Sequence, residues 1–134
     1  MDAPRPSPQA TLHVFVYGTL RRGEANDINR LRPPPRYLGQ ARTRGTLYDL
    51  GPYPGVILGG AGWVWGEIYA ITPALERQLD VIEEVAPVPS GEYTRRHVEV
   101  ELDGRSVDCL VYEIDPQRVQ GRPHIASGDW RQRR

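Results

Sequence analysis

Two features of this 134-residue chain have residue types and spacing suited to chemistry. The first is the loop Tyr17-Gly18-Thr19-Leu20-Arg21-Arg22-Gly23, which follows directly on the apolar run Leu12 to Tyr17. A glycine leaving a buried strand lets backbone N–H groups turn outward toward a ligand. Such donors hold a carboxylate or stabilise an oxyanion. The same G-x-x-x-x-G spacing also occurs in plain turns. A P-loop is excluded, because Glu24 follows Gly23 where that motif needs Lys and Ser or Thr. The second feature is the acidic group Asp80, Glu83 and Glu84 at the end of a helical pattern. At about 100° per residue, Leu75, Leu79 and Ile82 centre an apolar stripe. Glu84 falls nearly opposite it. Glu83 falls at its edge, closer than Glu76 or Asp80. A half-buried Glu83 would have its charged form disfavoured, which suits a general base. The alternative is a boundary carboxylate that reaches solvent.

Other chemistries are closed off by composition. All 17 basic residues are Arg, so Schiff bases, a P-loop lysine and a pyridoxal anchor are excluded. Cys109 is the one cysteine, which rules out an internal disulfide and a multi-cysteine metal site. His13, His97 and His124 lack ligand spacing, so no metal is expected. Cys109 reads as an inert core thiol and His13 as a packed residue of a buried strand. Ser106 and Ser127 have no acid–base partner near them in sequence. Formal net charge is +0, against the basic excess of a nucleic-acid binder. The arginine-rich stretch 21–44 and the acidic stretch 76–103 carry opposite charge and offset one another; the former reads as a solvated face. Apolar runs are too short to span a membrane. The proline-rich start MDAPRPSPQA has no apolar segment of the kind a secretory signal needs. With the single thiol, this points to the cytoplasm.

The elements that must position the two features read as follows. Leu12 to Tyr17 is a strand buried on both faces. Asn26 to Leu31 is a short helix closed by Pro33-Pro34-Pro35. Tyr37 to Leu50 gives one or two strands bent at a glycine, and Gly51 to Pro54 a turn. Val56 to Leu58 is a short apolar piece, followed by a flexible connection at Gly59, Gly60 and Gly62. Trp63 to Ile71 is a strong strand. The main helix starts at Thr72-Pro73, a good N-cap before proline at the first helical position. It buries Leu75, Leu79 and Ile82 and ends in Ala86 to Gly91. His97 to Leu102 alternates apolar and polar residues. Asp103-Gly104 is a type I′ hairpin signal, and Val107 to Ile114 is the return strand. The sum is an α+β fold: a small barrel-like mixed β-sheet with one main helix and one short helix. A single domain is expected over residues 11–130, with an extended tail at 1–10 and a polar tail at 131–134.

Dispersed motifs now match a family. Tyr17-Gly18-Thr19-Leu20 with Arg22-Gly23 and Asn26 or Asn29 resembles the substrate loop of the gamma-glutamylcyclotransferase-like family. Leu47-Tyr48, Pro54-Gly55 and Val64-Trp65-Gly66-Glu67-Ile68-Tyr69 resemble its middle signature. Leu79-Asp80-Val81-Ile82-Glu83 resembles its L-D-x-x-E motif, and Gly91-Glu92-Tyr93-Thr94-Arg95 its G-x-Y-x-R. The ending Ile125-Ala126-Ser127-Gly128-Asp129-Trp130 resembles small bacterial members, and the whole is similar to gamma-glutamylamine cyclotransferases. The resemblance implies a barrel with a cavity at one end and a reaction without metal or cofactor. It implies that the α-amine of a γ-glutamyl group attacks its own γ-carbonyl, closing to 5-oxoproline and releasing an amine or amino acid. Glu83 falls on the motif glutamate, as general acid and base. Tyr17, Gly18, Thr19 and Leu20 fall on the substrate loop. The implied partner is a small γ-glutamyl molecule, not a nucleic acid or a membrane. A diverged, non-catalytic binder of small metabolites in the same cavity is the alternative.

Overall fold

In the computed structural model, β1 (Leu12–Val16) is too short to cover both of its own faces, so neighbours do. Val14 and Val16 belong to one core cluster, with Leu75 and Leu79 of the main helix. Phe15 and Tyr17 belong to a second, with Val64, Ile68 and Trp130. The strand is thus buried on both faces, as its continuous apolar run predicts. The structure describes residues 12–83 and 91–133. The tail expected at 1–10, Glu84, and most of the segment expected to end the helix (86–90) lie outside the described residues.

β1 lies antiparallel to β3 (Pro54–Ile71), with Leu12 opposite Ile71 and Val16 opposite Glu67. β3 pairs in turn with β2 (Arg36–Asp49). β4 (Tyr93–Leu102) and β5 (Arg105–Ile114) form a hairpin. β2 meets β4 at Arg42–Glu101, and β5 runs parallel to β1 at Val14–Leu110. The result is a closed five-strand barrel in the order β1-β3-β2-β4-β5. Asp103 (φ 50°) and Gly104 (φ 77°) both take the positive φ that a type I′ turn demands.

Three expectations need correction. Gly59, Gly60 and Gly62 do not separate two strands. β3 runs through them, and residues 59–62 form an excursion between Leu58, opposite Gly45, and Trp63, opposite Arg44. Gly59 (φ 96°) and Gly60 (φ 83°) supply the left-handed backbone this excursion needs. The short helix narrows to one 3₁₀ turn, Ile28–Arg30, capped by the Asp27 carboxylate.

The main helix α1 (Pro73–Ile82) begins as expected, with Thr72 Oγ1 accepting the Leu75 N–H at 3.1 Å. Its buried residues, however, are Leu75, Leu79 and Asp80, while Ile82 is 38% exposed. The stripe has turned toward Asp80 because that carboxylate finds partners off the helix. Arg95 Nη1 donates to Asp80 Oδ2 at 2.8 Å, and the Tyr112 phenol donates to Oδ1 at 2.7 Å. Burial of Leu75 and Leu79 contributes about 1.5–3 kcal/mol each. Among the described residues no helix is long and apolar enough to cross a membrane.

Candidate active site

A cavity of about 380 Å³ opens where the loop after β1, the turn before β3, the end of α1 and the start of β4 meet. Tyr17, Gly18, Thr19, Leu20 and Glu83 all line it. The loop and the carboxylate singled out from sequence are therefore brought to one place.

The carbonyls of Gly18, Thr19 and Leu20 are all used by residues that follow them. Gly18 O accepts from Arg21 N–H (3.0 Å), Thr19 O from Asn26 N–H (2.8 Å) and Leu20 O from Ile28 N–H (2.9 Å). Among the described residues no acceptor takes the N–H of Gly18, Thr19 or Leu20. Gly18 is required by close approach: a Cβ there would lie 2.6 Å from Pro54 Cγ.

What holds the loop in place was not legible in the sequence. Arg21 is 1% exposed, which corrects its reading as part of a solvated face. Its Nε donates to Glu67 Oε2 at 3.2 Å and its Nη1 to Asp129 Oδ1 at 2.7 Å. The other oxygen of Glu67 accepts the Arg22 backbone N–H (3.0 Å) and the Tyr69 phenol (2.9 Å). Asn29 reaches the Tyr69 hydroxyl at 3.2 Å and the Asp27 carboxylate at 2.9 Å. Burying charge costs several kcal/mol per ion unless it is paired and hydrogen-bonded, and here the pairing is complete. The one available signal was Glu67, a charge inside the otherwise apolar and aromatic run WVWGEIYAI.

Glu83 is half-buried and caps the C-terminus of α1, its N–H bonded to Leu79 O at 2.9 Å. It acts electrostatically on three phenols, those of Tyr17, Tyr93 and Tyr112. Burial raises the Tyr17 phenol well above its usual range, and Glu83 adds to the effect. Burial also raises Tyr93, reinforced by Tyr17, Glu83 and Glu92. Tyr112 is raised by burial and by its hydrogen bond to Asp80. These three groups stay neutral at any ordinary pH. Their protons are directed at protein acceptors: Tyr17 at Tyr112 O (2.7 Å), Tyr93 at Pro54 O (3.1 Å) and Tyr112 at Asp80.

The cavity has a second carboxylate that sequence reasoning passed over, Glu92, which accepts the Tyr53 phenol. Its place in the G-x-Y-x-R segment was the available signal. Cys109 lies elsewhere, fully buried in the core, and burial pushes its thiol up to about 12. His13 lies on β1, held below the usual imidazole range by burial and by Arg36.

Comparison with known proteins gives a consistent result. Residues 14–132 match the family model described as gamma-glutamyl cyclotransferase, AIG2-like. A Vibrio cholerae protein provisionally described as a gamma-glutamylcyclotransferase is 39% identical over 122 residues, which cover 90% of this chain and 96% of that protein. The bovine gamma-glutamylaminecyclotransferase is 36% identical over 112 residues, 74% of this chain and 63% of the bovine one. Among solved structures, an AIG2-like protein from mouse superposes with a TM-score of 0.71 at 29% identity, covering 85% of each chain.

Proposed function

The chain belongs to the gamma-glutamyl cyclotransferase, AIG2-like family, and on that footing we propose that it converts a γ-glutamyl amine or γ-glutamyl amino acid to 5-oxoproline and a free amine. The observation that carries this reading is one cavity lined by both Glu83 and the 17–20 loop.

The substrate α-amine arrives as ammonium and is not a nucleophile until it loses a proton. Glu83 takes that proton. Its position at the electronegative C-terminal end of α1 favours proton uptake. The freed amine attacks the γ-carbonyl carbon of the same molecule. A new N–C bond closes the five-membered ring, and the C–N bond to the leaving amine breaks. Two protons pass in all from the attacking to the leaving nitrogen by way of Glu83, and no water is consumed. The N–H groups of Gly18, Thr19 and Leu20 are suited to hold the substrate carboxylate or the oxyanion of the tetrahedral intermediate. Attack within one molecule needs mainly a held conformer, a large part of the barrier, and proton management adds about 10²–10⁴-fold. The lone free thiol, Cys109, suits the reducing cytoplasm, where we expect the reaction to run.

Matched substrates with a free and an N-acetylated α-amine test this reading. Amine release with 5-oxoproline from the free form alone supports cyclisation. Equal release from both means hydrolysis by activated water. Release from neither, with the free form still bound, means a binding protein.

A further inference from the structure

Two stretches of the loop after β1 line the cavity, residues 17–20 and residues 25–26, while residues 21–24 between them do not. Resting on the cyclotransferase reading, we propose that Asp129 and Arg131 are positioning residues for this loop. They hold residues 21–24 from outside the cavity and so set the places of the two stretches that line it.

The holding segment is itself fixed. Gly128 O accepts the Trp65 N–H of β3 at 2.8 Å. Gly128 takes a φ of 70°, and a Cβ there would lie 1.9 Å from Trp63 O, so the segment lies against that strand with room for glycine only. Trp130 is buried in the second core cluster. The Asp129 carboxylate caps the 3₁₀ turn Trp130–Gln132 by accepting the Arg131 N–H at 2.9 Å. A strand hydrogen bond and a core side chain thus flank Asp129, and one short turn aims Arg131. The same strand presents Glu67 to the loop, so segment and loop are registered on one frame.

From this base two charges reach the loop at two points. Asp129 Oδ1 accepts Arg21 Nη1 at 2.7 Å, one residue beyond the first lining stretch. Arg131 Nε lies 3.4 Å from Glu24 Oε2, one residue before the second. Arg131 Nη2 is also 3.7 Å from Glu67 Oε2. Between the stretches, the Asn26 N–H donates to Thr19 O at 2.8 Å and Asn26 Nδ2 to Thr19 Oγ1 at 3.1 Å, so a shift of one carries the other. The two attachments differ in burial. The Arg21 side chain is 1% exposed, whereas those of Arg131 and Glu24 are 38% and 24% exposed. Loss of Asp129 leaves a buried guanidinium with one partner fewer, which destabilises the fold. An exposed pair contributes little to global stability. Arg131 can therefore be removed with the fold intact and its effect on the loop read by itself.

γ-Glutamyl-n-butylamine and γ-glutamyl-alanine serve as probes, with KM and kcat from 5-oxoproline release and affinity from calorimetry. Arg131→Gln should raise KM about three- to fivefold, with kcat within about twofold and the urea midpoint unchanged. Arg131→Lys, which keeps a positive charge near Glu24, should recover most of the loss. Glu24→Gln should match Arg131→Gln, and the double variant should be no worse than either, as expected of two residues that share one contact. Because salt screens an exposed pair, the KM ratio of Arg131→Gln to the wild type should fall toward one between about 0.05 and 1 M salt. Asp129→Asn should raise KM by about tenfold or more, with a lower urea midpoint. Arg133 Nη1 donates to Trp130 O at 2.7 Å in the same turn, and among the described residues it pairs with none of the loop, so Arg133→Gln should leave KM unchanged. Unchanged KM and affinity in Arg131→Gln, losses that multiply in the double variant, or an equal rise in Arg133→Gln would overturn the inference. No 5-oxoproline from either probe, with affinities still weakened in the variants as stated, would overturn the cyclotransferase reading and leave the positioning role standing. Neither turnover nor binding of either probe by the wild type would overturn both.

Discussion

Glu67 divides its two carboxylate oxygens between the side chain of Arg21 and the backbone of Arg22. Oε2 accepts Arg21 Nε at 3.2 Å, and Oε1 accepts the Arg22 N–H at 3.0 Å. A strand of the barrel thereby grips the loop that lines the cavity. Removing one partner of a buried pair leaves the other charge uncompensated, at a cost of about 3–5 kcal/mol. Glu67→Ala should therefore lower the free energy of unfolding by about that amount, read from urea melts. Glu67→Gln can still accept from Arg22 and should cost less. In both variants KM should rise before kcat falls, because the loop is displaced while Glu83 is untouched. Wild-type stability in Glu67→Ala would mean that the pair contributes nothing to the loop.

Two carboxylates near the end of α1 have different environments, and substitution should separate them. Asp80 is tied to Arg95 and Tyr112 and is buried. Glu83 lines the cavity. Glu83→Gln keeps the shape but cannot take a proton, so kcat should drop by about 100-fold or more with the melt unchanged. Asp80→Asn should do the reverse, losing about 1–3 kcal/mol of stability through an unsatisfied Arg95 or Tyr112 while turnover per folded molecule persists. An inactive, fully stable Asp80→Asn would move the general base from Glu83 to Asp80.

What was legible in the sequence is what local chemistry decides. The continuous run at Leu12 to Tyr17, the Thr72-Pro73 start and the Asp103-Gly104 turn each depend on residues a few positions apart, and each forms as expected. Glu83 at the cavity was reachable by helical spacing together with motif order. Contacts distant in sequence were not legible. Arg21 finds Glu67 46 positions away and Asp129 108 positions away, so its composition alone read as surface. The helix turned toward Asp80 because Arg95 and Tyr112, on other elements, compensate its charge. Glycines at 59–62 looked like a break because an excursion inside a long strand has the same composition as a loop.

Alkaline pH should weaken the fold in a defined order. Cys109 is raised to about 12 and Tyr69 to about 12, and Tyr17, Tyr93 and Tyr112 are raised as well, all first by burial. A group whose folded pKa exceeds its unfolded one binds its proton more firmly in the native state. Its stabilisation is fully present below the unfolded pKa and is lost as pH rises from there through the folded one. The thiol begins this loss from about pH 8.5 and the phenols from about pH 10. Urea midpoints should thus fall from about pH 9 upward, and Cys109→Ala should flatten the first part of the fall. Phenolate absorbance should show those four phenols silent near pH 10–11 in the native protein, while all seven tyrosines titrate in urea. Native titration of every tyrosine near pH 10 would contradict the buried phenols around the cavity.

Gly18 lies against Pro54 with no room for a side chain, and this packing gives a test of loop position that leaves every polar group in place. A Cβ at residue 18 would lie 2.6 Å from Pro54 Cγ and 2.8 Å from Cδ, distances that real contacts do not tolerate. Gly18→Ala must therefore push the loop away from the turn before β3, and the N–H groups of Gly18, Thr19 and Leu20 move with it. A shift of this size should raise KM and lower kcat/KM by about 10- to 100-fold. Pro54→Ala removes both ring atoms and keeps the carbonyl that accepts the Tyr93 phenol at 3.1 Å. The double variant should then recover much of what Gly18→Ala loses, because the added methyl occupies the space the ring has vacated. Such coupling is expected of residues in contact and not of distant ones. If the two losses simply multiply in the double variant, the contact does not set the loop, and the backbone donors are positioned by the Arg21–Glu67 pair alone.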